Sequence, residues 1–226
     1  MRAPISVIIP TLDAAASLPA CLGALGEGLG EGLLRELVVS DGGSTDTTLK
    51  IAQRAGAVVV AGPASRGGQL RRGAGAAAGE WLLFLHADTV LEPGWTAPVF
   101  TALAAPGAYH FRLAFDATGV APRIVAGWAN WRARRLHLPY GDQGLLIHRG
   151  LYQAVGGYPD IPLMEDVALA RRLGDRLTQL DATALTSAEK YQSQGWLRRG
   201  TRNLWTLTRY MTGTDPDRLA GSYRRS

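Results

Sequence analysis

Ile5-Ser6-Val7-Ile8-Ile9 is a short β-branched run that stops at Pro10-Thr11, the composition of a strand buried on both faces. A helical pattern follows from about Ala14 to Leu25, and Leu-Val-Val within Glu36–Ser40 marks a second strand. That strand ends in Asp41-Gly42-Gly43, after which Ser44 is placed to cap a helix reaching about Ala55. Ala57–Ala61 reads as a third strand, closed by Gly62-Pro63. The Gly/Ala-rich segment from Gly67 to Ala78 predicts a helix lying close on a sheet, and Trp81–Leu85 predicts a fourth strand. Four βα units in series predict the α/β class: a mostly parallel central sheet with helices on both faces.

Ligands of such sheets lie beyond the carboxyl ends of the strands. Each strand here delivers polar residues at that end: Pro10-Thr11, Asp41-Gly42, and His86-Ala87-Asp88. An acid thrown out of a buried strand suits a divalent cation or a ribose, and hard cations take one or two carboxylates plus ligand phosphates. Arg66-Gly67-Gly68-Gln69 reads as a loop, where glycine and arginine together suit a phosphate-bearing ligand. Glu165-Asp166 opens a helix pattern through Val167, Leu169, Ala170 and Leu173. Adjacent carboxylates at a helix start serve the helix dipole, or one faces a site as general base while its neighbour holds a loop.

Beyond residue 105 the pattern predicts strands at Tyr109–Phe115, Gly144–His148 and Leu177–Leu180. It predicts helices at Arg123–Arg135, with Ile124, Trp128 and Trp131 on one side, after Leu163 toward Leu173, and at Trp196–Met211. With no repeat or linker, residues 1–226 are read as a single domain, about 1–105 forming a half built of the βα units and about 106–226 a half that completes the sheet and carries a basic C-terminal helix.

The composition narrows the classes. Hydrophobic residues make up 46% and charged residues 19% of 226, which excludes wholesale disorder. Cys21, the single cysteine, lies on the stripe Leu18, Cys21, Leu22, Leu25 and reads as core. The net charge is +5, but residues 196–226 carry seven arginines against Asp215 and Asp217, while the preceding 195 residues carry seventeen of each sign. A uniformly basic nucleic-acid binder has a different distribution. No membrane span or signal-peptide core is legible, so the expectation is cytoplasmic. On the C-terminal helix, Arg198, Arg202, Trp205 and Arg209 share one face, with Leu197, Leu204, Leu207 and Met211 largely on the other. Three readings stand: a solvated face with Trp205 folded back on the domain, weak peripheral contact with an anionic membrane at its inner face, or an arginine that reaches the diphosphate of a bound ligand.

Four motifs in order, Ser6-Val7-Ile8-Ile9-Pro10-Thr11, Val39-Ser40-Asp41-Gly42-Gly43-Ser44-Thr45-Asp46, Phe84-Leu85-His86-Ala87-Asp88-Thr89 and Met164-Glu165-Asp166, resemble the family 2 glycosyltransferases. Tyr140-Gly141-Asp142-Gln143-Gly144 extends the likeness toward a subgroup of small stand-alone bacterial members. The resemblance implies the nucleotide-sugar-binding GT-A fold and an inverting glycosyltransferase that moves a sugar, most simply from a UDP-sugar, to an acceptor hydroxyl. It implies that Pro10, Thr11 and Asp13 line the nucleotide pocket with Gly42 and Gln69 beside it, and that Asp41 binds the base. Asp88 matches the metal- and ribose-contacting acid of the family's Asp-x-Asp motif, in which Ala87 is the middle residue and His86 replaces the first acid. Asp166 matches the general base, supported by Glu165, and Gly141–Gly144, with Asp142, shape the acceptor side. A divalent cation (Mn²⁺ or Mg²⁺) held by Asp88 and His86, together with Arg66 or Lys190, would neutralise the leaving diphosphate. The acceptor is open and can be lipid-linked; nucleic acid is not expected. Rival readings are a sugar nucleotidyltransferase, whose Gly-rich, lysine-containing motif Ala14–Ala20 lacks, and a non-catalytic nucleotide-sugar sensor or nucleic-acid-binding module.

Overall fold

The computed structural model describes residues 3–224; Met1-Arg2 and Arg225-Ser226, the last arginine of the basic segment among them, lie outside the described residues. One eight-stranded sheet takes strands from both halves of the chain. In chain order they are β1 (Ile5–Thr11), β2 (Leu34–Asp41), β3 (Val58–Ala61), β4 (Trp81–Phe84), β5 (Thr89–Leu91), β6 (Ala108–Phe115), β7 (Leu145–His148) and β8 (Leu177–Thr186). Their spatial order is β3-β2-β1-β4-β7-β6-β8-β5. The β3-β2-β1-β4 half is wholly parallel, with Thr11 opposite Asp41 and Ile8 opposite Phe84. This register brings the carboxyl ends of β1, β2 and β4 to one edge. Beyond β4 the sheet turns mixed: β7 runs antiparallel to β4 and β6, β8 parallel to β6, and β5 antiparallel to β8.

Strand β1 shows why the sheet is covered twice. Ile5, Val7 and Ile9 join one core with Leu18 and Cys21 of α1 (Leu18–Ala24), while Ile8 joins a second core with Leu70 and Ala74 of α4 (Arg66–Ala76). Alternation along a strand sends successive side chains to opposite faces, so an unbroken apolar run requires a layer on each. The Gly/Ala composition of α4 does what its sequence implies. A Cβ on Gly73 would meet Ile8 Cγ2 at 2.5 Å, so glycine is what lets the helix backbone reach the strand. Cys21 is buried, donates to the His86 carbonyl over 3.5 Å, and has its thiol pKa pushed up to about 12 by burial, with the Asp88 charge adding. It is an inert core thiol.

Several expectations change. The helix after β2 begins at Thr48 (α3, Thr48–Arg54), because the Ser44 hydroxyl bonds Asp41 instead of capping it. Arg66–Gln69 is the first turn of α4, capped by Ser65, whose side chain accepts from Gly68 N–H. The last strand runs on to Thr186, since pairing with both β6 and β5 supports it over ten residues. The helix α6 (Val120–Leu136) buries Pro122, Ala126, Ala129 and Ala133 and leaves Ile124, Trp128 and Trp131 exposed. Shorter helices α2 (Gly26–Gly30), α5 (Thr96–Ala102), α7 (Arg149–Ala154), α9 (Glu189–Gln194) and α11 (Pro216–Arg224) were not anticipated; α8 (Glu165–Leu173) and α10 (Trp196–Met211) were. Among the described residues no helix is long and apolar enough to cross a membrane.

Candidate functional site

Two cavities, of about 440 Å³ and about 170 Å³, open beyond the carboxyl edge of the parallel strands. Both are lined by Arg66, His86, Asp88, Leu163 and Lys190, so they form one cleft that meets at the end of β4. The larger lobe is bounded by the end of β1 and the loop after it (Pro10–Ala14), by Gln69 of α4 and by Ala87. The smaller is bounded by Tyr140–Asp142, Asp166 and residues of α9 and α10.

The larger lobe rests on a laced pair of loops. Gln69 Nε2 donates to the carbonyls of Thr11 (2.8 Å) and Ser40 (3.0 Å), tying the ends of β1 and β2 together. Asp13 adopts a left-handed conformation (φ 49°), which Asp tolerates better than most residues. Its Oδ1 accepts from Thr45 N–H (2.8 Å), and its own N–H donates to Ser44 Oγ (2.9 Å). Asp46 belongs to the same lacing, since Oδ2 accepts from Ala15 N–H and Oδ1 from Thr48 N–H.

Asp41 and Gly42 stand behind this wall and line neither cavity. Asp41 is 1% exposed. Oδ1 accepts from Thr11 Oγ1 (2.8 Å) and Ser44 Oγ (2.6 Å), and Oδ2 from the N–H groups of Gly43 and Ser44 (both 2.8 Å). Four donors fill the four lone-pair sites of a carboxylate. Burial works to raise its pKa, but these bonds outweigh it and hold the carboxyl below its usual range. The geometry makes Asp41 the organiser of the loop; contact with a base would require a hydroxyl to turn away.

On the smaller lobe, a 3₁₀ turn (Gly141–Gln143) is fixed from beneath. Gln143 is fully buried and donates to the Phe111 carbonyl, and the Arg132 guanidinium lies 3.4 Å from the centroid of the Tyr140 ring. Asp166 Oδ2 accepts from Gly141 N–H at 2.7 Å, linking this turn to the start of α8. Met164, in the left-handed region (φ 67°), turns the chain into α8, whose helical step points the two adjacent acids in different directions. Asp166 faces the cleft. Glu165 is 1% exposed and lines neither lobe, with Arg66 Nε 3.7 Å from its Oε1. Burial, reinforced by the Asp166 charge, raises its pKa, and Arg66 offsets this in part. Glu165 thus stands behind the cleft wall, beside Arg66, which lines both lobes.

Asp142 was expected on the acceptor side and lines the smaller lobe, its buried Oδ1 without a hydrogen-bond partner among the described residues. Burial pushes its pKa up to about 6 against the pull of Arg132, with Asp166 and Asp88 adding. Tyr140, Tyr191, Arg199 and Asn203 also line this lobe; only Tyr140 had a signal, its place in the Tyr140–Gly144 motif. The others arrive through the packing of α9 and α10.

A divalent cation fits the donor set at the junction in one way. Among the described residues no three of His, Cys, Asp and Glu gather as a metal cage, so the ion would share Asp88 with a bound diphosphate, the arrangement magnesium and manganese favour. Burial lowers the His86 pKa, with Arg66 adding and Asp88 opposing, which leaves a neutral imidazole suited to manganese. The ring is packed against Gly141, where a Cβ would lie 2.4 Å from Nε2.

Comparison with known proteins agrees with this architecture. The profile of glycosyl transferase family 2 matches residues 6–148, well over half the chain. A PGL/p-HBAD biosynthesis glycosyltransferase of Mycobacterium tuberculosis is 43% identical over 100 residues, covering 40% of this chain. The match spans only 38% of that relative's length. Among solved structures, residues 1–349 of S. aureus TarS superpose with a TM-score of 0.62 at 18% identity, over 90% of this chain and 64% of that one. Glucosyl-3-phosphoglycerate synthase from M. tuberculosis, crystallised with Mn²⁺, UDP and glucosyl-3-phosphoglycerate, gives a TM-score of 0.56 at 23% identity, over 81% and 70% of the two chains. At these identities the likeness establishes the shared fold.

Proposed function

The chain belongs to glycosyl transferase family 2, and on that footing we propose that it transfers a sugar from a UDP-sugar to an acceptor hydroxyl with inversion at the anomeric carbon, Asp166 acting as general base. The observation that carries this reading is the two-lobed cleft: the lobes meet at His86, Asp88, Arg66 and Lys190, and Asp166 stands on the wall of the smaller. The larger lobe has room for a nucleoside diphosphate, and a UDP donor is supported by the same-fold structures solved with UDP or UDP-GlcNAc.

The acceptor lies in the smaller lobe, its hydroxyl between Asp166 and the junction. Its oxygen forms the new bond to the anomeric carbon as the bond to the diphosphate oxygen breaks, and the hydroxyl proton passes to Asp166. Gly141 N–H, held on Oδ2, fixes the carboxylate while leaving lone pairs free for that proton. Arg66 and Lys190 meet the negative charge that collects on the departing UDP. A divalent cation held by Asp88 and His86 would add charge neutralisation at the same point.

Asp166→Asn tests the reading. With manganese and a panel of UDP-sugars, turnover should fall by about 10²–10⁴-fold, the usual weight of a positioned base. UDP affinity, measured by calorimetry, should change little, because Asp166 does not line the larger lobe. Near-normal turnover would refute the assignment.

A further inference from the structure

The sequence of α6 is Val-Ala-Pro-Arg-Ile-Val-Ala-Gly-Trp-Ala-Asn-Trp-Arg-Ala-Arg-Arg-Leu, and that of α10 contains four arginines; neither helix has an acidic residue. Both turn large apolar side chains outward. On α6, Val120, Ile124, Trp128 and Trp131 recur at i, i+4, i+8 and i+11, one face of a helix, and are 72%, 65%, 47% and 43% exposed. The two indoles stack with ring centroids 5.0 Å apart. On α10, Leu197, Leu204 and Trp205 are 86%, 46% and 63% exposed. The indole of Trp205 is therefore not folded back, and the leucines expected opposite the tryptophan share its side, while Leu207 alone of that set is buried. Trp128 and Leu204 line one small cavity between the helices, so the two faces are continuous.

Single exposed apolar residues need no account, but a contiguous patch with three tryptophans does. Its rim identifies the occupant. Arg123, Arg134, Arg135 and Arg198 are exposed beside it, and no acid on either helix offsets them. A second copy docking through this patch about a two-fold axis would bring the same arginines together. An anionic lipid surface complements both parts: guanidinium groups meet lipid phosphates, and indoles favour the boundary between headgroup and acyl chain.

We propose that the joint outer face of α6 and α10 is a membrane-binding surface that rests on anionic lipid. The inner side of α10 supplies Arg199, Asn203 and Thr206 to the smaller lobe of the cleft, so one helix separates that lobe from the bilayer. The proposal does not depend on the reaction carried out in the cleft.

Flotation with vesicles of phosphatidylcholine alone, and of equal parts phosphatidylcholine and phosphatidylglycerol, tests it without donor or metal. The full chain should float with the anionic vesicles, and binding should fade as salt rises. Arg134→Gln/Arg135→Gln should weaken binding about 30-fold, since each arginine near such a surface contributes roughly a factor of five. Ile124→Ser/Trp131→Ser should weaken it as well, with the fold retained in circular dichroism because neither side chain belongs to the buried core. Equal flotation with both lipids, no flotation, or unaltered binding of both double variants would overturn the proposal. So would a concentration-dependent dimer in sedimentation that Ile124→Ser/Trp131→Ser dissolves, which would give the face to a second copy. Failure on any of these counts leaves the Asp166→Asn experiment, and the reading it tests, untouched.

Discussion

Replacing Asp41 by Asn keeps the shape of the side chain and removes its charge and one of its two acceptor oxygens. In the native protein that carboxylate takes four hydrogen bonds, two from the backbone N–H groups of Gly43 and Ser44 and two from hydroxyls of Thr11 and Ser44. The amide oxygen of Asn can keep the two backbone donors, and the hydroxyls can rotate to accept from its nitrogen. What is lost is charge assistance: bonds to a charged group contribute about 1.5–3 kcal/mol against roughly 0.5–1.5 for neutral ones. Two weakened backbone bonds and two reorganised hydroxyls make a loss of about 2–3 kcal/mol. For a chain of this size that lowers the melting temperature by roughly 5–10 °C. The pH dependence identifies the cause. The folded-state pKa of Asp41 is depressed, so its contribution is complete above the unfolded value of about 3.9 and disappears as pH falls through the folded value. Urea unfolding at pH 7 should therefore separate the two proteins fully, and the gap should close as pH drops below about 4. Equal midpoints at pH 7, or a gap that does not depend on pH, would refute the organising role. Equal midpoints together with weakened UDP binding would return Asp41 to direct contact with the base.

One helix gives a paired control of packing. A Cβ on Gly67 would lie 2.0 Å from the Pro159 carbonyl oxygen, whereas Gly75 on the same helix has nothing within 4 Å. Gly67→Ala should cost about 2 kcal/mol or more by overpacking, while Gly75→Ala should gain about 0.5–1 kcal/mol. Thermal melts of the two variants should shift in opposite directions, and a shared sign would contradict the helix placement. At the junction, Asp88→Ala should remove the part of UDP affinity that depends on added manganese and leave the metal-free part nearly intact. Titration calorimetry with manganese and with chelator reads the difference, and an unchanged manganese increment would move the cation away from Asp88.

Much of the donor side was legible because it depends on local order. Unbroken apolar runs locate β1, β2 and β4, with Pro10 and Gly42 closing the first two and the polar His86 and Asp88 following the third, and parallel pairing then places His86 and Asp88 beside the loop that follows Thr11. The boundaries of α10 were also legible, from its stripe of alternating apolar and basic residues. In the mixed half the strands β6 and β7 and the start of β8 were legible, but their order and direction were not, since they find their partners across long separations that leave no mark on the intervening sequence.

Which side of an element meets the core was decided only by tertiary packing. The sequence puts Ile124, Trp128 and Trp131 on one side of α6 without deciding which way that side faces; the structure buries Pro122, Ala126, Ala129 and Ala133, the small stripe that brings the helix close to β6, and turns the bulky side outward. The same holds in the cleft. The sequence alone placed Asp41, Asp88, Glu165 and Asp166 at the ends of their elements, which needs only strand and helix boundaries. That Asp88 and Asp166 face the cleft, while Asp41 and Glu165 are sealed behind it, depends on where hydroxyls, backbone amides and Arg66 arrive from other parts of the chain. A carboxylate's surroundings are assembled by those distant segments, and so is its role.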